Sequence, residues 1–139
     1  MTKTSFAALA FGAVVVLAGP ASAEKFKAAL DGKSEVPPNA STGKGTADID
    51  YDPATKKLSY TLTYSGLTGP ATAAHFHGPA EVGKNAGVAV PIANATKSPA
   101  EGSATLTDQQ AADLEAGKMY VNVHTAANPG GEIRGQVTK

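Results

Sequence analysis

Along most of this chain apolar and polar residues alternate in short runs, and glycine or proline cuts one run from the next. Phe26, Ala28 and Leu30 alternate with Lys25, Lys27 and Ala29, the pattern of a half-buried strand. Ser34 to Ser41 interrupts it. Pro37 and Pro38 carry no backbone donor, so this piece is expected as an extended edge or loop. From Gly45 to Tyr51 the alternation resumes, with Ala47, Ile49 and Tyr51 on one side and Asp48 and Asp50 on the other. Asp52-Pro53-Ala54-Thr55 reads as a turn, and Lys57 to Tyr64 returns with Leu58, Tyr60, Leu62 and Tyr64 on one face. Together these make a hairpin.

Gly66 to Pro70 forms a corner before a strand from Ala71 to His77, in which Ala74 and Phe76 face one way and Ala73, His75 and His77 the other. A long turn, Gly78 to Gly87, leads to a short apolar strand, Val88 to Ile92. A loop from Asn94 to Gly102 and an extended piece, Ser103 to Leu106, follow. One segment departs from the alternation. Thr107-Asp108-Gln109-Gln110 fits a capping box, in which the Thr hydroxyl and the Gln side chain satisfy each other's backbone amides, and Gly117 stops the short helix with a left-handed residue. Met119, Val121 and Val123 then alternate with Tyr120, Asn122 and His124. After Pro129-Gly130-Gly131, Ile133, Gly135 and Val137 oppose Glu132, Arg134 and Gln136 in a final strand from Gly131 to Val137. Many short strands between Gly and Pro turns predict an all-β fold, an antiparallel Greek-key β-sandwich or barrel with one short helix.

The beginning of the chain follows another pattern. Met1 to Lys3 is short and basic, Phe6 to Ala18 is apolar, and Ala21-Ser22-Ala23 is a small-x-small cleavage site. Residues 1–23 are expected to be a signal peptide, leaving residues 24–139 as one periplasmic or secreted domain with no membrane span after cleavage. Losing Lys3 changes the balance from 12 basic and 12 acidic residues to 11 and 12, so the domain is close to neutral. With Arg134 as its one arginine and scattered lysines, it has no basic stripe for nucleic acid. There is no cysteine, which excludes disulfides and thiolate sites. Nor is there a Gly-x-Ser-x-Gly elbow or a phosphate-cradling glycine loop, and Asp48, Asp50 and Asp52 lack the glycine and glutamate of a calcium loop.

What remains is histidine chemistry. His75 and His77 are alternate residues of one expected strand, so both imidazoles leave the same face, and His124 has the matching phase on another. Three imidazoles on adjacent rigid strands suit a metal ion, copper first and zinc as the alternative, since both favour imidazole nitrogen. Glu132 and Arg134 share the polar phase of the last strand. From there Glu132 could bond a ligand imidazole and Arg134 could attract an anion, though the same residues also make an ordinary surface ion pair. A module that binds an extracellular protein partner without any metal fits the same composition.

Phe26-Lys27-Ala28-Ala29-Leu30, Glu35-Val36-Pro37-Pro38, Ala74-His75-Phe76-His77-Gly78, Leu106-Thr107, Ala112-Asp113-Leu114, Ala116-Gly117, Tyr120-Val121-Asn122-Val123-His124-Thr125 and Gly131-Glu132-Ile133-Arg134-Gly135 together resemble a CHRD domain of the single-domain exported bacterial type. The resemblance covers essentially all of residues 24–139. It implies a β-sandwich and a place outside the cytoplasm, and leaves activity open. A looser likeness is to the copper/zinc superoxide dismutases, which have a Greek-key barrel, a His-x-His strand, a later copper ligand and an anion-guiding arginine. That likeness implies a small redox enzyme using His75, His77, His124 and Arg134. The chain departs from it in having no fourth histidine to bridge a second metal, no zinc-binding loop and no disulfide.

Overall fold

A computed structural model describes residues 10–15 and 22–139. Most of the expected signal peptide therefore lies outside the described residues; of the part described, Phe11, Val14 and Val15 are exposed. Among the described residues no helix is long and apolar enough to cross a membrane.

Among the described residues the strands are β1 (Glu24–Asp31), β2 (Lys44–Asp52), β3 (Lys57–Ser65), β4 (Ala71–His77), β5 (Val88–Pro91), β6 (Ala100–Thr105), β7 (Tyr120–Thr125) and β8 (Ile133–Gln136), with one α-helix, α1 (Asp108–Glu115), between β6 and β7, and a single 3-10 turn, Gly32–Ser34, after β1. They form one 8-stranded sheet in the order β5-β4-β7-β8-β1-β2-β3-β6, antiparallel throughout and curled into a nearly closed barrel. Of sandwich and barrel, the chain takes the second.

The alternation explains the pairing. In the β2–β3 hairpin, Ile49 lies opposite Tyr60 and Ala47 opposite Leu62, so one apolar face runs across both strands. Phe26, Leu30, Ile49, Leu58, Leu62, Phe76, Val121, Val123 and Ile133 belong to one buried cluster that fills the barrel. Each large apolar side chain so buried contributes roughly 1.5–3 kcal/mol, which is how a chain without disulfides is held together. The capping box forms as the residues require: Thr107 Oγ1 accepts from the Gln110 amide at 3.1 Å, and Gln110 Oε1 accepts from the Thr107 amide at 3.0 Å.

Most strand ends fall within a residue of expectation, and two strand starts lie further off. β6 starts at Ala100, inside the expected loop, because Gly102 pairs with Tyr60 as part of the ladder. A Cβ at Gly102 would lie 2.8 Å from Tyr60 Cζ, so this glycine makes room for a ring rather than breaking a strand. The Tyr60 hydroxyl goes on to accept from the Ala93 amide at 2.9 Å, and Tyr64 donates to Ala95 O at 2.7 Å. These side-chain bonds stitch the seam between β3–β6 and the chain that leaves β5. β8 starts at Ile133 and not at Gly131, whose φ of +129° breaks the extended run and takes Glu132 out of the strand.

The face of β4, β7 and β8 turned away from the core is not simply a surface. The segment between β4 and β5 folds back over it. Lys84 O and Asn85 Oδ1 accept from Arg134, Ala86 O meets His77, and Ala80 O accepts from Gln136. The barrel thus has a second, polar layer beneath this segment.

Candidate metal centre

β4 pairs with β7 so that His75 lies opposite Asn122, Ala73 opposite His124 and His77 opposite Tyr120. With side chains alternating across the sheet, His75, His77, Tyr120, Asn122 and His124 all leave the outer face, and β8 adds Arg134 opposite Asn122. The three histidines expected to meet do so. One possible ligand atom from each lies within 4.8 Å of the others.

Two of them are already at coordinating distance. His75 Nδ1 is 3.0 Å from His124 Nε2, the separation two nitrogens take around an ion when each bond is about 2 Å. His124 Nδ1 is 2.8 Å from Pro129 O, and a carbonyl only accepts, so Nδ1 carries the proton and Nε2 presents its lone pair inward. Without an ion, His75 Nδ1–H donates to that lone pair. His77 is placed differently. Its Nε2 is 2.9 Å from Asn122 Oδ1 and its Nδ1 3.0 Å from Ala86 O, and its ring lies parallel to Tyr120 at 4.7 Å between centroids.

Burial lowers the pKa of His75, helped by the charges of His124 and His77. Burial also lowers that of His77, against the opposing pull of Ala86 O and Asn122. Both shifts favour the neutral imidazole, the form that binds metal.

Arg134 is 2% exposed. Its guanidinium sits 3.5 Å from the Tyr120 ring centroid and donates to Asn85 Oδ1 and Lys84 O. His77 and Arg134 stand too close to the ring to share one face of it, so Tyr120 is sandwiched between them. The expected surface arginine is therefore a buried clamp that reaches the histidines through a tyrosine, and it is not presented to an incoming anion.

Glu132 was expected beside an imidazole and is instead fully buried among hydroxyls and amides. Its carboxylate accepts from Ser41 Oγ at 2.8 Å, Thr68 N at 2.9 Å, Thr125 Oγ1 at 2.8 Å, Asn128 Nδ2 at 3.2 Å and Thr68 Oγ1. Burial alone would raise its pKa, but the bonds from Thr68, Thr125 and Ser41 outweigh burial and hold it at about 2.

Sequence reasoning missed Asn122 and Glu35. Asn122 was visible as a polar residue in phase with His124. Glu35 had no such signal, because its burial depends on the chain that returns through Gly131. It is 5% exposed, and its Oε1 is buried without a hydrogen-bond partner among the described residues. Burial raises its pKa to about 7 despite the Arg134 charge, the Val36 amide and the Asn122 amide.

Compared with protein families, the chain matches the CHRD domain model over residues 26–137. The chain belongs to the CHRD domain family. No curated protein and no solved structure matches it. The match runs from within β1 to just past β8, so His75, His77 and His124 stand within the CHRD domain and not in an appended segment. CHRD domains are typically extracellular.

Proposed function

We propose that this CHRD domain is an exported metal-binding protein that holds a copper ion through His75, His77 and His124. The observation that carries the reading is the convergence of all three histidines of the chain on one patch, with two nitrogens 3.0 Å apart and all three within 4.8 Å. That spread is wider than one ion accepts at about 2 Å per bond, so His77 moves in to complete the set. The ion would supply Lewis acidity, or a redox couple in the case of copper. The chain's own part is to present neutral imidazoles, with the His124 tautomer fixed by Pro129 O. Copper comes before zinc because nitrogen-donor affinity in the divalent series peaks at Cu(II).

Titration of residues 24–139 with Cu(II), Cu(I) and Zn(II) tests this. Outer partners of ligand histidines are worth about 10- to 100-fold in affinity, so His75→Ala and His124→Ala should each lose more. Equal affinity in wild type and both variants would sink the shared site, and no uptake of any of the three ions would leave the protein-interaction module as the standing account. The dismutase likeness gains no support from Arg134, whose guanidinium is already committed to Tyr120, Asn85 and Lys84.

A further inference from the structure

The three histidines are not held alike. His75 and His124 are half-buried and face each other, whereas His77 is 8% exposed with a protein oxygen against each ring nitrogen. A neutral imidazole has one N–H, so only one of those oxygens can receive it. Ala86 O already accepts from the Tyr120 hydroxyl at 3.2 Å. Asn122 Oδ1 has no other donor among the described residues. Nor does the Asn122 amide gain by turning round, because its Nδ2 donates to Gly130 O at 3.5 Å and lies beside the Glu35 carboxylate, whose charge favours the N–H end of the amide on that side. A Cβ on Gly131 would stand 2.8 Å from that Nδ2 and collide with Glu35 Oε1, so the missing side chain is the space in which amide and carboxylate meet.

We infer that Asn122 is a latch, a positioning residue that takes the Nε2 proton of His77 and keeps its ring against Tyr120, apart from the open His75–His124 pair. The set is then divided into a facing pair, in which His75 has only to shift its Nδ1 proton to Nε2 to present both lone pairs to an ion, and a third ligand that joins only when the Asn122 bond is given up. Glu35, through the gap at Gly131, keeps the oxygen end of the Asn122 amide turned toward His77. The latch rests on the metal-binding reading for its purpose, but its first test does not.

In the metal-free protein, long-range proton–nitrogen NMR of the imidazoles should show His77 protonated at Nε2 in wild type and redistributed in Asn122→Ala. An Nδ1–H tautomer that Asn122→Ala leaves unchanged would overturn the latch. In the copper titration, Asn122→Ala should bind about fivefold tighter, the worth of one buried hydrogen bond. Its nitrogen hyperfine pattern should show the third imidazole at lower copper than wild type does. Affinity that is unchanged, or that falls as far as in His77→Ala, goes against it. Glu35→Gln keeps an oxygen for Asn122 and should retain the wild-type tautomer and spectrum, while Glu35→Ala should move both toward Asn122→Ala. That pair decides the matter if Asn122→Ala does not fold. If wild type takes up no metal, the proposed function fails and the tautomer measurement still decides the latch.

Discussion

Two glutamates lie buried in this domain, Glu35 at 5% exposure and Glu132 at 0%, and their surroundings drive them in opposite directions. Glu132 accepts from five donors, and its pKa is held at about 2. Glu35 has a buried Oε1 with no hydrogen-bond partner among the described residues, and burial takes its pKa to about 7 although Arg134 is near. Burial is common to both. What separates them is the number of hydrogen-bond donors, and neutral hydroxyls and amides placed in contact do more for a carboxylate than a guanidinium already engaged elsewhere.

Their effects on stability have opposite pH dependence. The Glu132 pKa is depressed from 4.5, so its contribution is complete above 4.5 and is lost as pH falls toward 2. The Glu35 pKa is raised from 4.5, so the folded state is favoured below 4.5 and loses that advantage as pH rises through 7.

The largest way to break the comparison is Glu132→Ala, which strands five donors in the interior. It should cost about 4 kcal/mol at pH 7, read by urea unfolding, and flatten the acid limb of stability. A cost under about 1 kcal/mol would mean that water replaces the carboxylate. Glu35→Gln is next and has the opposite sign. It should leave stability unchanged near pH 4 and raise it by at most about 3 kcal/mol at pH 8, where wild type must ionise a desolvated carboxyl. A gain that does not grow with pH would count against the raised pKa. The smallest is Ser41→Ala, which removes one donor from Glu132. It should cost about 1.5 kcal/mol and move the acid midpoint upward, with no change on the alkaline side.

The strands were legible because alternation is local. Leu58, Tyr60 and Leu62 face inward as their spacing requires, and the same rule placed His75, His77 and His124 on one outer face. The pairing of β4 with β7 then brought them together. The polar layer was not legible, because alternation says which side chains leave the core and not what folds over them. The segment from Gly78 to Gly87 reads as a long turn, yet its carbonyls cover His77, Arg134 and Gln136. Glu132 was misplaced for a related reason: Gly131 breaks the phase just before it, and its partners Ser41, Thr68, Thr125 and Asn128 are scattered along the chain. Gly102 looked like punctuation and is a docking place for a ring.

The seam of the barrel has a consequence for how copies of this chain meet. A sheet with two ends offers two rows of unpaired backbone groups to any extended segment that passes, including one from a second copy. Here the row beside β5 is short, four residues closed by Pro91. The chain beyond it is already tied to β3 by the phenols of Tyr60 and Tyr64, and Gln110 of α1 occupies Ala89 O at 3.0 Å. Two tyrosines and a glutamine thus occupy backbone groups on the β5 side of the seam, and that edge is shielded from a foreign strand by side chains instead of by closure of the ladder.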